Sequence, residues 1–226
     1  KAREIGQVFG VALDKPDDGV APNIYVAATS LYGLQIVGKR DGKFIRLVNG
    51  EPSATWMPGQ FGQENGGGPG TIWKIDGKTG EVSLFTTIKS GPNDNAGAGL
   101  GGLTYDFVSR QLFVANLETG FIHRIDETGK DLGFYDHGTQ GRAKADFSAV
   151  AYDASERASI EDPSFSVEKP ETWGLTDKRR RVVAVTIEGD RLYYSVADGP
   201  QIWSVGLDSA GGFLDDARLE FDFYEK

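Results

Sequence analysis

One strand grammar recurs along this chain and sets what it can fold into. "IYVAATS" from Ile24, "LFVANLETGFIHRID" from Leu112 and "LYYSVADGPQIWSVGLD" from Leu192 each open on a bulky, aromatic, bulky run. Each then falls through a small residue into a polar turn. In the second and third copies an alternating segment follows at once, "FIHRID" and "QIWSVGLD". In the first, the counterpart "TIWKID" is delayed by a segment from about residue 31 to residue 70, which reads as an insertion ending in the polar, glycine-rich "MPGQFGQENGGGPG". Alternation with period two between Gly, Asp and Asn turns is the signature of half-buried strands, and 31 glycines against few helical periodicities make the chain all-β.

Two further strands complete each unit. The openers are "VFGVALD" from Val8, "LGGLTYD" from Leu100 and "RVVAVTIE" from Arg181; the closers are "GKTGEVSLFTTI", "TGKDLGFYDHG" and "DARLEFDFYEK". "FSAVAYD" from Phe147 matches the openers as well. Four antiparallel strands repeated at about 40–50 residues read as blades of a β-propeller, because each small sheet buries its faces only against neighbouring blades. The expected blades span 8–88 with an insertion at 31–70, 98–138, and 147–226 with an insertion at 154–180, three to four blades in all.

Rings of about 4–8 blades are the closed solutions, so a count of three leaves a ring open. Three completions are expected from the sequence: a longer parent chain supplying a six- or seven-bladed ring, a homodimer of half-rings, or blades concealed in the insertions. A first residue of Lys1 rather than Met points to the first of these.

The run "GLTYDFVSRQLFVANLETGFIHRIDETGK", together with "NIYVAATSLYGLQIV", resembles NHL-type and gluconolactonase or strictosidine-synthase-like propellers, and is similar to secreted bacterial propeller proteins. The resemblance implies the propeller fold and an extracytoplasmic location. For the enzymes of the group it implies a divalent metal held in the central channel by Glu, Asn and Asp from different blades. Asn116 and Asp198 occupy the turn after the second strand of their blades, where the first blade carries Thr29 or Ser30.

Composition removes several function classes. A net charge of −9 disfavours a phosphate-backbone ligand. The one dense basic run, Lys178 to Arg181, follows Asp177 and leads into a strand, so it reads as a solvated strand entrance and no nucleic-acid partner is expected. The absence of cysteine excludes disulfides, thiolate metal sites and a cysteine nucleophile. No apolar run approaches the roughly 20 residues that span a bilayer as a helix. Neither a nucleophile elbow nor a phosphate-cradling loop occurs, and "GAGLGG" (97–102) leads into a strand, as a loop does, rather than into a helix. Of the two histidines, His123 falls within the strand "FIHRID" beside Phe121 and Ile125, and His137 in the turn "YDHGTQGR".

The candidate ligand-binding residues are Trp56, Asn116, Trp173 and Asp198. Trp73 and Trp203 share one repeat position, which marks them as scaffold, whereas Trp56 and Trp173 lie in the two insertions, where loops on a rigid framework are free to diverge. An Asx-turn role competes with ligand contact for Asn116 and Asp198. The acidic loops "GPNDNAG" (91–97) and "DETGKD" (126–131) offer hard oxygen donors that would suit calcium, without the spacing of the twelve-residue calcium loop. Two functions are therefore expected: a non-catalytic module that binds a protein or carbohydrate through its loop face, and, as the alternative, a metal-dependent lactonase-like hydrolase.

Overall fold

Each strand–turn–strand repeat closes on its own opener and closer into one four-stranded antiparallel sheet, and three such sheets follow one another along the chain. The structure, a computed structural model, describes residues 5–14, 19–29, 36–47, 51–53, 55–56, 60–159, 162–166 and 168–224. The first blade orders β1 (Val8–Leu13), β2 (Ile24–Ala28), β6 (Thr71–Ile75) and β7 (Val82–Thr87). Between β2 and β6 the insertion carries its own small sheet of β3 (Ile36–Arg40), β4 (Lys43–Arg46) and β5 (Thr55–Trp56). After β7 comes a short hairpin of β8 (Lys89–Ser90) and β9 (Asn93–Asp94). The second blade is β10 (Leu100–Asp106), β11 (Gln111–Asn116), β12 (Phe121–Ile125) and β13 (Asp131–Asp136). The third is β14 (Val182–Glu188), β15 (Arg191–Val196), β16 (Gln201–Gly206) and β17 (Arg218–Asp222).

The openers β1, β10 and β14 lie side by side, β1 on β10 and β10 on β14, as the inner strands of successive propeller blades do. All three carry a register shift at the same place, between Val8 and Val11, Leu100 and Leu103, and Val182 and Ala184. A bulge bends and twists the strand that carries it, so one device, used three times, curves each inner edge alike. Packing between blades is close enough to need glycine. A Cβ on Gly10 would stand 2.9 Å from the Leu103 Cβ, and one on Gly102 would stand 2.7 Å from the Ala184 Cα.

The core lies between the blades. Ala12, Tyr25, Ala27 and Ile72 of the first blade meet Leu103, Tyr105, Leu112, Val114 and Ile125 of the second. Phe113, Ala115, Ile122 and Tyr135 of the second meet Val185, Leu192, Tyr194, Trp203 and Val205 of the third. Strand alternation explains this division, since successive side chains of β11 point to opposite neighbours. Trp73 and Trp203 are both almost fully buried in third strands, as scaffold residues should be.

One expectation about the blades needs correction. "FSAVAYD" (147–153) does not open a blade, and the segment from 142 to 181 holds no strand among the described residues. The innermost position of the third blade is filled by β14, and no alternating partner run follows 153. Phe147 instead packs edge-on against Trp203, 5.9 Å between ring centroids, with the Arg142 guanidinium over its own ring. The first insertion carries a hairpin of its own ahead of its glycine-rich end. Asp41 and Gly42, both with positive φ, form the tight turn of the β3–β4 hairpin.

Candidate functional site

Strand direction sorts every connection onto one of two ends. Openers run away from one end and second strands return to it, so the loops after second and fourth strands share that end. It therefore receives the connections 29–70 and 137–181, which contain the two insertions, together with 88–99, 117–120 and 197–200. The opposite end has no connection as long as either insertion, and its turns include Asx turns such as Asp76 accepting from Lys78 and Thr79.

A buried ion pair holds the decorated end together. Glu118 projects from the β11–β12 turn, and its carboxylate is sealed from solvent. One oxygen accepts from the Ala96 and Gly97 amides at 2.8 and 3.0 Å; the other accepts from Arg157 Nε at 2.5 Å. Arg157 also donates to the Asp94 carbonyl. The β11–β12 turn, the loop 88–99 and the second insertion therefore meet at one carboxylate. Gly97 makes the approach possible: a Cβ there would lie 2.5 Å from the Ala158 carbonyl oxygen and 3.1 Å from Gly174 Cα. The Leu117 amide donates to Gly99 O and the Thr176 amide to Leu117 O, so the turn is bonded on both sides.

Arg180 is the second fixed point. It is 1% exposed and donates to Thr119 O at 2.7 Å, Val150 O at 2.6 Å and Asp136 Oδ1 at 2.9 Å. Its guanidinium lies 5.2 Å from the Phe121 ring centroid and 5.6 Å from that of Tyr152. Burial pulls this guanidinium below its ordinary pKa, and Asp136 opposes the shift. The basic run is therefore not a uniformly solvated strand entrance. Lys178 and Arg179 are exposed, whereas Arg180 is enclosed and Arg181 donates to the Thr176 carbonyl. Asp177 is drawn down to about 2 by its hydrogen bond with Arg179.

Nearby, His137 is fully buried, its Nδ1 3.1 Å from the Tyr194 hydroxyl and its ring edge-on to Trp203. Desolvation, aided by Arg142 and Arg180, lowers its pKa to about 3, so it is neutral at physiological pH. His123 is likewise enclosed, beside Phe121 and Phe134, with Nδ1 2.8 Å from Asp131.

The candidate residues separate in the structure. Asn116 is buried; it accepts from the Glu118 amide and donates to Lys89 O at 3.4 Å, an Asx-turn arrangement. Trp173 is mostly buried, with Nε1 donating to Ser166 O at 3.0 Å inside its own insertion. Asp198 is partly exposed at the same end, 3.2 Å from Lys178 Nζ. The Trp56 backbone pairs with Ile36 in the small inserted sheet, and its side chain lies outside the described residues. Sequence reasoning missed Glu118, Arg157 and Arg180. Glu118 stands 39 positions from Arg157, and Arg180 looked like one of four interchangeable cations.

In the acidic loops, Asp126 caps its own turn, accepting from the Thr128 and Lys130 amides, and Asp94 pairs with Lys89 at 3.4 Å. Among the described residues no group of three His, Cys, Asp or Glu side chains is placed to hold a metal ion. The decorated end also bears an open cleft of 350 Å³, walled by Gly66 to Gly70 on one side and Thr87, Lys89, Asp94 and Asn95 on the other. Across the end, Arg46 of the first insertion reaches Glu168 of the second at 3.2 Å.

No protein-family model matches the sequence, and no curated protein matches it. Among solved structures it is similar to a calcium-binding protein, regucalcin, from Agrobacterium tumefaciens, at 11% identity over 76% of this chain and 49% of that one, with a TM-score of 0.33. It is also similar to the computationally designed Ika4 protein, at 12% identity over 89% of this chain and 94% of that one, TM-score 0.33. A chain in a nidogen/laminin complex is 14% identical over 93% of this chain and 79% of that one, TM-score 0.29. The present chain spans about half the length of the regucalcin chain.

Proposed function

We propose that this chain is a non-catalytic propeller module whose decorated end docks a protein partner. The observation that carries the reading is the shared carboxylate of Glu118, which ties the turn, the loop 88–99 and the second insertion into one pre-set surface. Loops held this way lose little conformational freedom on binding, which removes part of the cost of association. Of the two insertion tryptophans, Trp173 is turned inward and bonded to Ser166 and so offers no face for sugar stacking, which favours a protein over a glycan at the second insertion. An extracytoplasmic location belongs to the same proposal; it rests on the resemblance of the repeats to secreted propellers, and fractionation of the native cell tests it.

The test is capture from native extract followed by lysine cross-linking and peptide mapping. Cross-links to one partner should concentrate on Lys89, Lys169 and Lys178 at the decorated end, and Arg157→Met should weaken capture. Cross-links confined to Lys78 and Lys130 at the opposite end would refute the assignment. Capture lost on enzymatic deglycosylation of the extract would show that a glycan, not a protein surface, is recognised.

A further inference from the structure

The two outer faces of the three-blade array repeat, position for position, the faces that are buried inside it. On the forward side, Gly10, Ala12, Tyr25, Ala27 and Ile72 of the first blade face the second, and Gly102, Phe113, Ala115, Ile122 and Tyr135 of the second face the third. In the third blade the same positions hold Ala184, Thr186, Tyr193, Ser195, Ile202 and, opposite Ile202 on the last strand, Phe221. Ala184 and Thr186 are exposed, and Phe221 is 54% exposed. Between Ala184, Tyr193 and Ile202 lies an apolar hollow of 180 Å³.

The backward side mirrors this. Leu100, Leu103 and Tyr105 of the second blade, and Val182 and Val185 of the third, are buried against the blade before them. The first blade has Val8, Val11 and Leu13 at these positions, and they are 38%, 56% and 48% exposed. One end of the array thus presents apolar knobs and the other an apolar hollow, each in the register that already packs twice within the chain. Exposed apolar faces of this kind mark interaction surfaces.

We propose that the occupant is a second copy of this chain, packed head to tail so that the third blade of each copy receives the first blade of the other. For the three blades that these 226 residues form, the number of copies follows from closure. Propeller rings hold about 4–8 blades, and of the multiples of three only six falls in that range. A two-fold axis along the ring then forms the same contact twice and leaves no blade face open, as a closed point group requires.

The absence of cysteine gives a clean test. By analogy with the close approach of Gly10 to Leu103, Ala184 of one copy stands against Val11 of the other. The double variant Val11→Cys with Ala184→Cys should, on mild oxidation, give a covalent dimer of twice the 24.4 kDa protomer mass. Neither single variant should cross-link with itself, and an equimolar mixture of the two singles should. Mass measured by light scattering on the unmodified chain should give a dimer at micromolar concentration. Val11→Glu or Ala184→Glu, at exposed positions, should leave a folded monomer with unchanged circular dichroism. A monomer at tens of micromolar, self-cross-linking of Val11→Cys alone, or growth into open polymers would each overturn the proposal; a monomer would leave the open faces to blades outside these 226 residues.

Discussion

Replacing Arg157 by Met probes the ion pair on which the decorated end is built. The substitution keeps an unbranched apolar stem of similar reach but leaves the Glu118 carboxylate enclosed without its cation. Removing one partner of a buried pair costs about 3–5 kcal/mol because the other charge stays desolvated. Here Arg157 retains 21% side-chain exposure and Glu118 keeps the Ala96 and Gly97 amides, which lowers the expected cost to about 2–3 kcal/mol. At about 2–4 °C per kcal/mol for a chain of this length, Tm should fall by roughly 4–12 °C in a calorimetric scan at pH 7. Adding Glu118→Gln to the Arg157→Met background removes the stranded charge and should recover about 1 kcal/mol, so the double-mutant cycle should close with a clear coupling term. A Tm within about 1 °C of the parent, or coupling near zero, would refute the reasoning, since the pair would then be no more than a surface contact.

Other consequences are equally open to measurement. Arg180→Lys keeps the charge but lacks the planar fork that reaches Thr119 O, Val150 O and Asp136 at once; denaturant unfolding should show a loss of about 2–4 kcal/mol. His137 titrates near 3 when folded and near its ordinary 6.5 when unfolded, so only the unfolded chain takes up the proton between those values. Stability from this residue is therefore complete above about pH 6.5 and falls as pH drops below it, by about 1.4 kcal/mol per pH unit. His137→Gln should flatten the slope between pH 6.5 and 4.5, a range that lies above the titration of the lowered carboxyls such as Asp177; an unchanged slope would show that the imidazole is not enclosed. Gly97→Ala should drive the second insertion off the loop 88–99, at a cost of about 1–3 kcal/mol for overpacking against backbone atoms, read as faster amide exchange at Thr176.

Much of the framework could be read from the sequence because it depends on local alternation. "IYVAA", "LFVAN" and "LYYSV" each form a second strand, and "TIWKI", "FIHRI" and "QIWSVG" each form a third. The same periodicity misled at "FSAVAYD", where an opener-like run has no partner strand and packs across Trp203 instead. The inserted hairpin was signalled by Asp41-Gly42 between alternating residues, a turn pair that sets the strand register. The site was less legible for a physical reason. Whether a carboxylate or guanidinium is buried depends on residues far away in the chain, and nothing near Glu118 or Arg180 distinguishes it from its solvated neighbours. Asn116 and Asp198 were singled out by repeat position, yet Asn116 caps its own turn and reaches Lys89 O, and Asp198 pairs with Lys178. The glycine run 97–102 leads into β10. Its reason for being glycine emerges only once Ala158, Gly174 and Ala184 are brought against it.

The claim that the decorated end is one pre-set surface is tested most directly by amide hydrogen exchange resolved to single residues. The amides of Ala96 and Gly97, bonded to Glu118, and of Thr176, bonded to Leu117 O, should be protected on the scale of the blade strands. All three should lose that protection together in Arg157→Met. Exchange at these amides as fast as in the exposed turn of Lys78 and Thr79 would contradict the account.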